Sequence, residues 1–319
     1  MGKHCGKKAC RAAAAAFLAL VVAAAAAGIA VAAKRLPYPD IADTSHASHK
    51  AAQICRGFFT AKSAHDADAL MTYFAHDPVL YIDASSGNEW PTRKSLSDVF
   101  HRFLPSAKPD ALSYPLRIIG DEHSAVVEFE DMPALFGREL RIIGSVTFDD
   151  QGHIVRWIDY WDGRSSLRQT SIQATYPTDF RDNVVNASPK IMHLANELQK
   201  AFSDGDAAAA AALFSFDASF EDMAAHTRLV GQLQIERYLS RALAQVPYGK
   251  GASVAHVVGS DQGGGYEWHA SPSAAPMRRG NTALELDADG KITRFTTVYD
   301  SGLFSYEKYK QLVLLGAEE

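Results

Sequence analysis

The chain has 319 residues, of which 47% are hydrophobic and 22% charged, a balance ordinary for a globular protein and sufficient for two hydrophobic cores. Its net charge is -5, and no cluster of lysine and arginine occurs beyond the first 35 residues, which excludes nucleic acid as a partner. Of the three cysteines, Cys5 and Cys10 fall in the N-terminal leader, so Cys55 has no internal disulfide partner, and no Cys/His spacing matches a zinc site.

Residues 1–35 read as a targeting segment. Lys3, Lys7, Lys8 and Arg11 precede an apolar run over residues 12–33, which ends in the small-x-small sequence Ala30, Val31, Ala32. The run is long enough to span a bilayer but consists mostly of alanine, so a cleaved signal peptide and an uncleaved signal anchor are both open. Either one puts the folded part outside the cytosol: secreted, periplasmic or lumenal, with a membrane tether if the leader is retained. Residues 36–49 carry Pro37, Pro39 and polar side chains without periodicity and read as a tether.

Residues 50–63 show apolar side chains at helical spacing (Ile54, Phe58, Phe59), and Cys55 belongs to that core stripe. Asp66 opens a second helix, and residues 78–85 form a short strand. Thr92 caps a third helix whose stripe is Leu96, Val99, Phe100 and Phe103. Four strands follow, over residues 112–119, 124–132, 139–148 and 154–161, separated by turns. On the last of them Trp157, Asp159 and Trp161 project to one face, and Ile158, Tyr160 and Asp162 to the other. A carboxylate between two tryptophans on a strand face is costly to bury unless it is paired or used, so Asp159 is the first catalytic candidate.

Residues 166–189 have no strong period, contain Pro177 and Pro189, and read as an interdomain linker; Asn186 opens a glycosylation sequon. The pattern then repeats. Gly152 set against Gly290 places Arg156 on Arg294, Trp157 on Phe295 and Asp159 on Thr297. With a shift one residue larger, Tyr81 and Asp83 fall on Phe220 and Asp222. Gly263, Gly264 and Gly265 read as a loose hairpin, and residues 306–315 as a closing helix. The fold class predicted is α+β: two tandem cone-shaped domains over residues 50–165 and 190–319, each a curved mixed or antiparallel sheet wrapped over three helices with a pocket at its wide end. The two domains pair with each other or with a second chain.

The first copy resembles the nuclear transport factor 2-like superfamily, and within it the SnoaL-like polyketide cyclases and limonene-epoxide hydrolases. The likeness is carried by YFAHDPVLYID (residues 73–83) and GHIVRWIDYWD (residues 152–162). It implies a cofactor-independent hydrolase or epoxide-opening cyclase acting on an apolar, polyketide- or terpenoid-like substrate. Carried over residue by residue, the water-activating aspartate falls on Asp159, its tyrosine partner on Tyr81 and the pocket tryptophan on Trp157. Asp83 stands where the family has an asparagine. The acid falls on Asp131, or on Glu130 one register away, and Phe129 stands near the position of the bridging arginine, which is missing. Trp161 joins the pocket wall. In the second copy Asp222, Glu267 and His269 are candidates for an independent site, the alternative being a second domain that only packs against the first. Aldol-type ring closure, isomerisation and non-catalytic binding of an apolar ligand remain alternatives for the whole. No metal, nucleotide or flavin signature is present, so no cofactor is expected.

Overall fold

The computed structural model describes residues 36–165 and 187–317. The leader, most of the linker and Asn186 of the sequon lie outside the described residues. Among the described residues no helix is long and apolar enough to cross a membrane.

In chain order the first copy comprises strand β1 (Asp43–Ala47), helices α1 (His49–Ser63) and α2 (Ala67–Met71), and strands β2 (Leu80–Asp83) and β3 (Asn88–Trp90). Helix α3 (Arg93–Phe103), strands β4 (Ser113–Gly120) and β5 (Ser124–Asp131), the one-turn helix α4 (Pro133–Phe136), and strands β6 (Leu140–Phe148) and β7 (Ile154–Trp161) complete it. The second copy repeats the plan with α5 (Pro189–Asp204), α6 (Ala207–Ala211), β8 (Phe214–Asp222), β9 (Thr227–Val230) and α7 (Gln232–Ala242), then β10 (Ser253–Ser260), β11 (Gly263–His269), β12 (Arg279–Leu286) and β13 (Ile292–Tyr299). Helix α8 (Tyr306–Leu314) closes the chain. The sheet orders are β1-β4-β5-β6-β7-β2-β3 and β10-β11-β12-β13-β8-β9, so beyond β1 the two copies match strand for strand. The fold is α+β, with two mixed sheets each curved over three helices.

The helix starts follow from side-chain capping. Ser48 and Ser188 accept from the amides of Ala51 and Ile191, while Asp66 and Asp206 accept from those of Ala69 and Ala209. Thr92 and Ser95 form a reciprocal capping box at α3.

Two expectations are corrected. Residues 36–49 are not a tether: Asp43–Ala47 pairs in parallel with β4 at the sheet edge, and Tyr38 is buried with its hydroxyl donating to the Arg56 carbonyl at 3.1 Å. The strand is held from the side by Arg117, which donates to Asp43 at 2.7 Å, so it needs no apolar alternation of its own. The glycine run is not a loose hairpin either; it begins β11, paired on both sides. A Cβ on Gly263 would lie 2.8 Å from Ile119 and one on Gly265 2.6 Å from Val126, both in the other sheet. These glycines let the sheets approach closely.

From Tyr38 onward the chain is one compact unit, and its two sheets pack face to face. Leu80, Ile82, Val126, Ile143 and Ile158 of the first meet Val258, Ala283 and Val298 of the second. Polar groups are buried with them. Arg156 pairs with Glu267 at 2.6 Å, Tyr160 donates to the same carboxylate at 2.8 Å, and the Asn281 amide donates to Ser145 at 2.9 Å. Removing one partner of a buried ion pair leaves the other charge uncompensated, at a cost of about 3–5 kcal/mol. Arg156→Ala is therefore expected to lower unfolding stability by that order in urea titration, and a paired apolar replacement, Arg156→Met with Glu267→Leu, to recover most of the loss.

Candidate active site

Strand alternation decides which side chains meet inside the first cone. On β7, Trp157, Asp159 and Trp161 face the helices, while Arg156, Ile158 and Tyr160 face the other sheet. In the parallel register of β2 with β7, Tyr81 lies opposite Trp157 and Asp83 opposite Asp159, so two carboxylates stand side by side on adjacent strands. On β5 the inward pair is Phe129 and Asp131. Phe129 packs 6.1 Å from Trp157, ring centre to ring centre, as part of the core behind the site.

Glu130 is consequently corrected as a candidate. It shares the outward face with Glu128, sits half-buried beside Tyr114 and Glu139, and takes no part in the cavity. Glu128 is buried between the sheets, near Arg294 and Arg117, where burial raises its pKa against the pull of those cations.

The cavity has a volume of about 470 Å³ and is roofed by α3 and the turn that follows it. At its closed end Asp159 is 6% exposed. Tyr81 donates its hydroxyl to one carboxylate oxygen at 2.5 Å, and the Trp157 indole N–H donates to the other. Burial pushes the Asp159 pKa up to about 7, against the lowering effects of the Tyr81 hydrogen bond, the Lys62 charge and the Trp157 hydrogen bond; neighbouring Asp83 adds to the rise. Trp157 is itself fixed by stacking on Phe58 of α1 at 4.4 Å. Gly144 lies opposite Asp159 on β6, and a Cβ there would come within 3.0 Å of both the Asp159 carboxylate and the Trp157 indole nitrogen. A side chain there would press on both partners of that hydrogen bond.

Asp83 accepts from the Trp161 indole at 2.8 Å and from the Ser86 amide at 3.0 Å, and burial raises its pKa as well. Asp131 forms a buried ion pair with Lys62, 2.9 Å between the charged atoms. Lys62 was not singled out by the sequence reading. It lies in the last turn of α1, where a lysine ordinarily faces solvent, and its signal was only its place one turn beyond Phe58 and Phe59 on a helix that covers the sheet. Its ammonium lies 5.2 Å from the centre of the Phe129 ring.

Asp222, Glu267 and His269 do not form a second site. Asp222 is fully buried and accepts from the hydroxyls of Tyr248 at 3.1 Å and Tyr299 at 3.2 Å and from the Ala225 amide at 2.9 Å; burial again pushes its pKa to about 7. Glu267 projects from the opposite face of its sheet toward Arg156, and His269 is exposed at the strand end. At the positions of Gly144 and Asp159 the second copy pairs Thr282 with Thr297, whose hydroxyls lie 3.0 Å apart, with the Trp268 indole donating to Thr282. Phe220 and Phe295, at the places of Tyr81 and Trp157, stack at 4.4 Å. The core of the second cone is built of buried aromatic side chains, among them Phe202, Phe220, Tyr248, Trp268 and Phe295. Among the described residues no group of three or more His, Cys, Asp or Glu is placed to hold a metal ion.

No protein-family model matches the sequence, and no curated protein matches it. Among solved structures, an NTF-2 like protein of unknown function from Burkholderia xenovorans LB400 is 20% identical, with 38% of this chain and 91% of that one covered and a TM-score of 0.31. A putative SnoaL-like polyketide cyclase from Shewanella putrefaciens CN-32 is 13% identical over 37% of this chain and 83% of its own, with a TM-score of 0.32. A steroid delta-isomerase from Pseudomonas aeruginosa is 21% identical over 35% and 79%, with a TM-score of 0.28.

The raised carboxyl groups make stability pH-dependent. Between the ordinary aspartate value of 3.8 and about 7, an unfolded chain has released the Asp159 proton while the folded protein retains it. Raising the pH through that window therefore favours unfolding. Asp159→Asn should flatten the fall in unfolding free energy between pH 4 and pH 7.5 by roughly 1.4 kcal/mol for each pKa unit removed, measured by urea unfolding at each pH.

Proposed function

We propose that the first cone is the active site of a cofactor-independent acid/base catalyst that opens epoxides of apolar, polyketide- or terpenoid-like molecules, as a hydrolase or an epoxide-opening cyclase. The observation that carries this reading is Asp159, a carboxylate with a pKa of about 7 at the closed end of a cavity walled by Leu96, Phe100, Leu140 and Ile142. A general base works best when its pKa lies near the working pH.

Ionised Asp159, oriented by Tyr81 and Trp157, takes a proton from a water molecule or from a hydroxyl of the substrate. The oxygen so activated attacks an epoxide carbon, the carbon–oxygen bond of the ring breaks, and the ring oxygen takes a proton from Asp83, which stands beside Asp159 on the adjacent strand and in this mechanism holds the proton of the crowded carboxylate pair while Asp159 is ionised. Passage of a proton from Asp159 to Asp83 through solvent restores the starting state. In this assignment Asp131 is not the acid. Its ion pair with Lys62 suits it to hold the ammonium near Asp159, where the positive charge favours the ionised base. Tyr81, Trp157 and Lys62 thus act through Asp159, and Phe129 and Trp161 support the wall and the acid. Aldol-type ring closure or isomerisation would draw on the same base, with Asp159 removing a carbon-bound proton. In a binding module the same carboxylates would be structural. The second copy acts in this account as the packing partner that fixes the first sheet, and the leader, retained or cleaved, delivers the protein outside the cytosol.

Incubation with apolar mono- and bis-epoxides in heavy-oxygen water separates these readings. Label in a diol means hydrolysis, and an unlabelled cyclic ether means internal attack. Asp159→Asn should lower either activity by about 10²–10⁴-fold, while kcat/KM of the parent should rise with pH through about 7 as Asp159 ionises and fall again once Asp83 loses its proton. Lys62→Gln removes the charge that lowers the Asp159 pKa, so the rising limb should move to higher pH. Consumption of no epoxide by the parent would sink the proposal.

A further inference from the structure

The cavity has a polar mouth as well as a carboxylate-lined floor, and one residue of that mouth has no role in the chemistry above. Arg102, in the last turn of α3, lines the cavity and is exposed, as are Asn88 and Ser106 beside it, whereas Tyr81, Asp131 and Asp159 at the other end are buried. Among the described residues no carboxylate pairs with Arg102; Arg93 and Arg241 also lack one, but they donate to backbone carbonyls. The cation at the floor is already committed, because Lys62 is paired with Asp131. Between floor and mouth the lining is apolar, with Val99, Phe100, Leu104, Leu140 and Ile142 on the walls and Phe103 stacked on Phe136, 5.5 Å between centres, at the rim.

We infer that the substrate is an amphiphile, an apolar chain or ring system ending in a carboxylate, with Arg102 as the residue that holds the carboxylate at the mouth while the apolar body reaches Asp159. The inference rests on the reading of this cavity as the substrate site. Orientation follows from charge. Ionised Asp159 at the floor repels an anion, and the guanidinium at the mouth offers two parallel N–H groups that match a carboxylate. The acid end therefore stays out and the uncharged end goes in, which presents the apolar part of the molecule to the base.

The test is binding without turnover. Decanoate and 1-decanol share a ten-carbon chain and differ in the charge of the head; binding of each to the full-length protein in detergent below its critical concentration is followed by quenching of Trp90 and Trp161, which line the cavity. The parent should bind decanoate about tenfold more tightly than 1-decanol, the gain of one charge-assisted contact. Arg102→Gln should abolish the preference, Arg102→Lys should keep part of it, and decanol affinity should be the same in all three. Equal affinity for the two probes in the parent, or an undiminished preference in Arg102→Gln, overturns the assignment while leaving the acid/base reading standing. Failure of the parent to bind either probe overturns both.

Discussion

The face-to-face packing of the two sheets is the constraint on which the rest depends, and the buried contact of Arg156 and Tyr160 with Glu267 is its polar anchor. A strand in a sheet covered on both sides has no solvent face, so each residue of β7 is committed either to the other sheet or to the cone. Arg156 and Tyr160 take the first course, and Trp157, Asp159 and Trp161 the second. A slip of one residue would put Asp159 between the sheets and Arg156 in the cavity. The interface thus fixes the register that places Asp159 in the first cone and also holds the two halves of the molecule together. It has an approximate internal symmetry: Arg156 meets Glu267 of the second copy, while its counterpart Arg294 is the foremost charge acting on Glu128, the counterpart of Glu267.

The two copies kept one architecture and diverged inside it through a few substitutions of clear physical effect. In the first, Gly144 leaves room for Asp159, which two donors steady in a buried position. In the second, threonines stand at both places and satisfy each other, and a stacked phenylalanine pair replaces Tyr81 and Trp157. Each copy keeps a buried aspartate with a raised pKa, Asp159 in the first and Asp222 in the second; Asp159 lines a cavity, whereas Asp222 is held by the hydroxyls of Tyr248 and Tyr299.

Much of this was legible in the sequence because alternation is a strict rule. The run from Gly152 to Asp162 put Asp159 between two tryptophans on one face, and the repeat located the second sheet. Parity alone could not say which face of β5 turned inward, so Asp131 and Glu130 were separated only by the fold. Lys62 stayed hidden because a lysine at a helix end carries no local sign of burial; its partner lies 69 residues away. Strand β1 escaped notice because an edge strand held by its neighbour needs no pattern. Glu267 was misplaced because a carboxylate inside a repeat suggests a site, and the demand of Arg156 for a partner becomes visible only when the sheets are together.

The base proposed for the first cone depends on the protonation state of Asp159, which can be measured. With aspartate carboxyl carbons labelled, Asp159 can be followed by nuclear magnetic resonance in an Asp222→Asn background, which removes the other aspartate pushed to about 7, and assigned by the signal missing from Asp159→Asn. A midpoint near 7 that moves upward in Lys62→Gln is the predicted result. A midpoint near the ordinary value of 3.8, indifferent to Lys62, would contradict it, because a carboxylate so readily ionised would make a weak base at neutral pH.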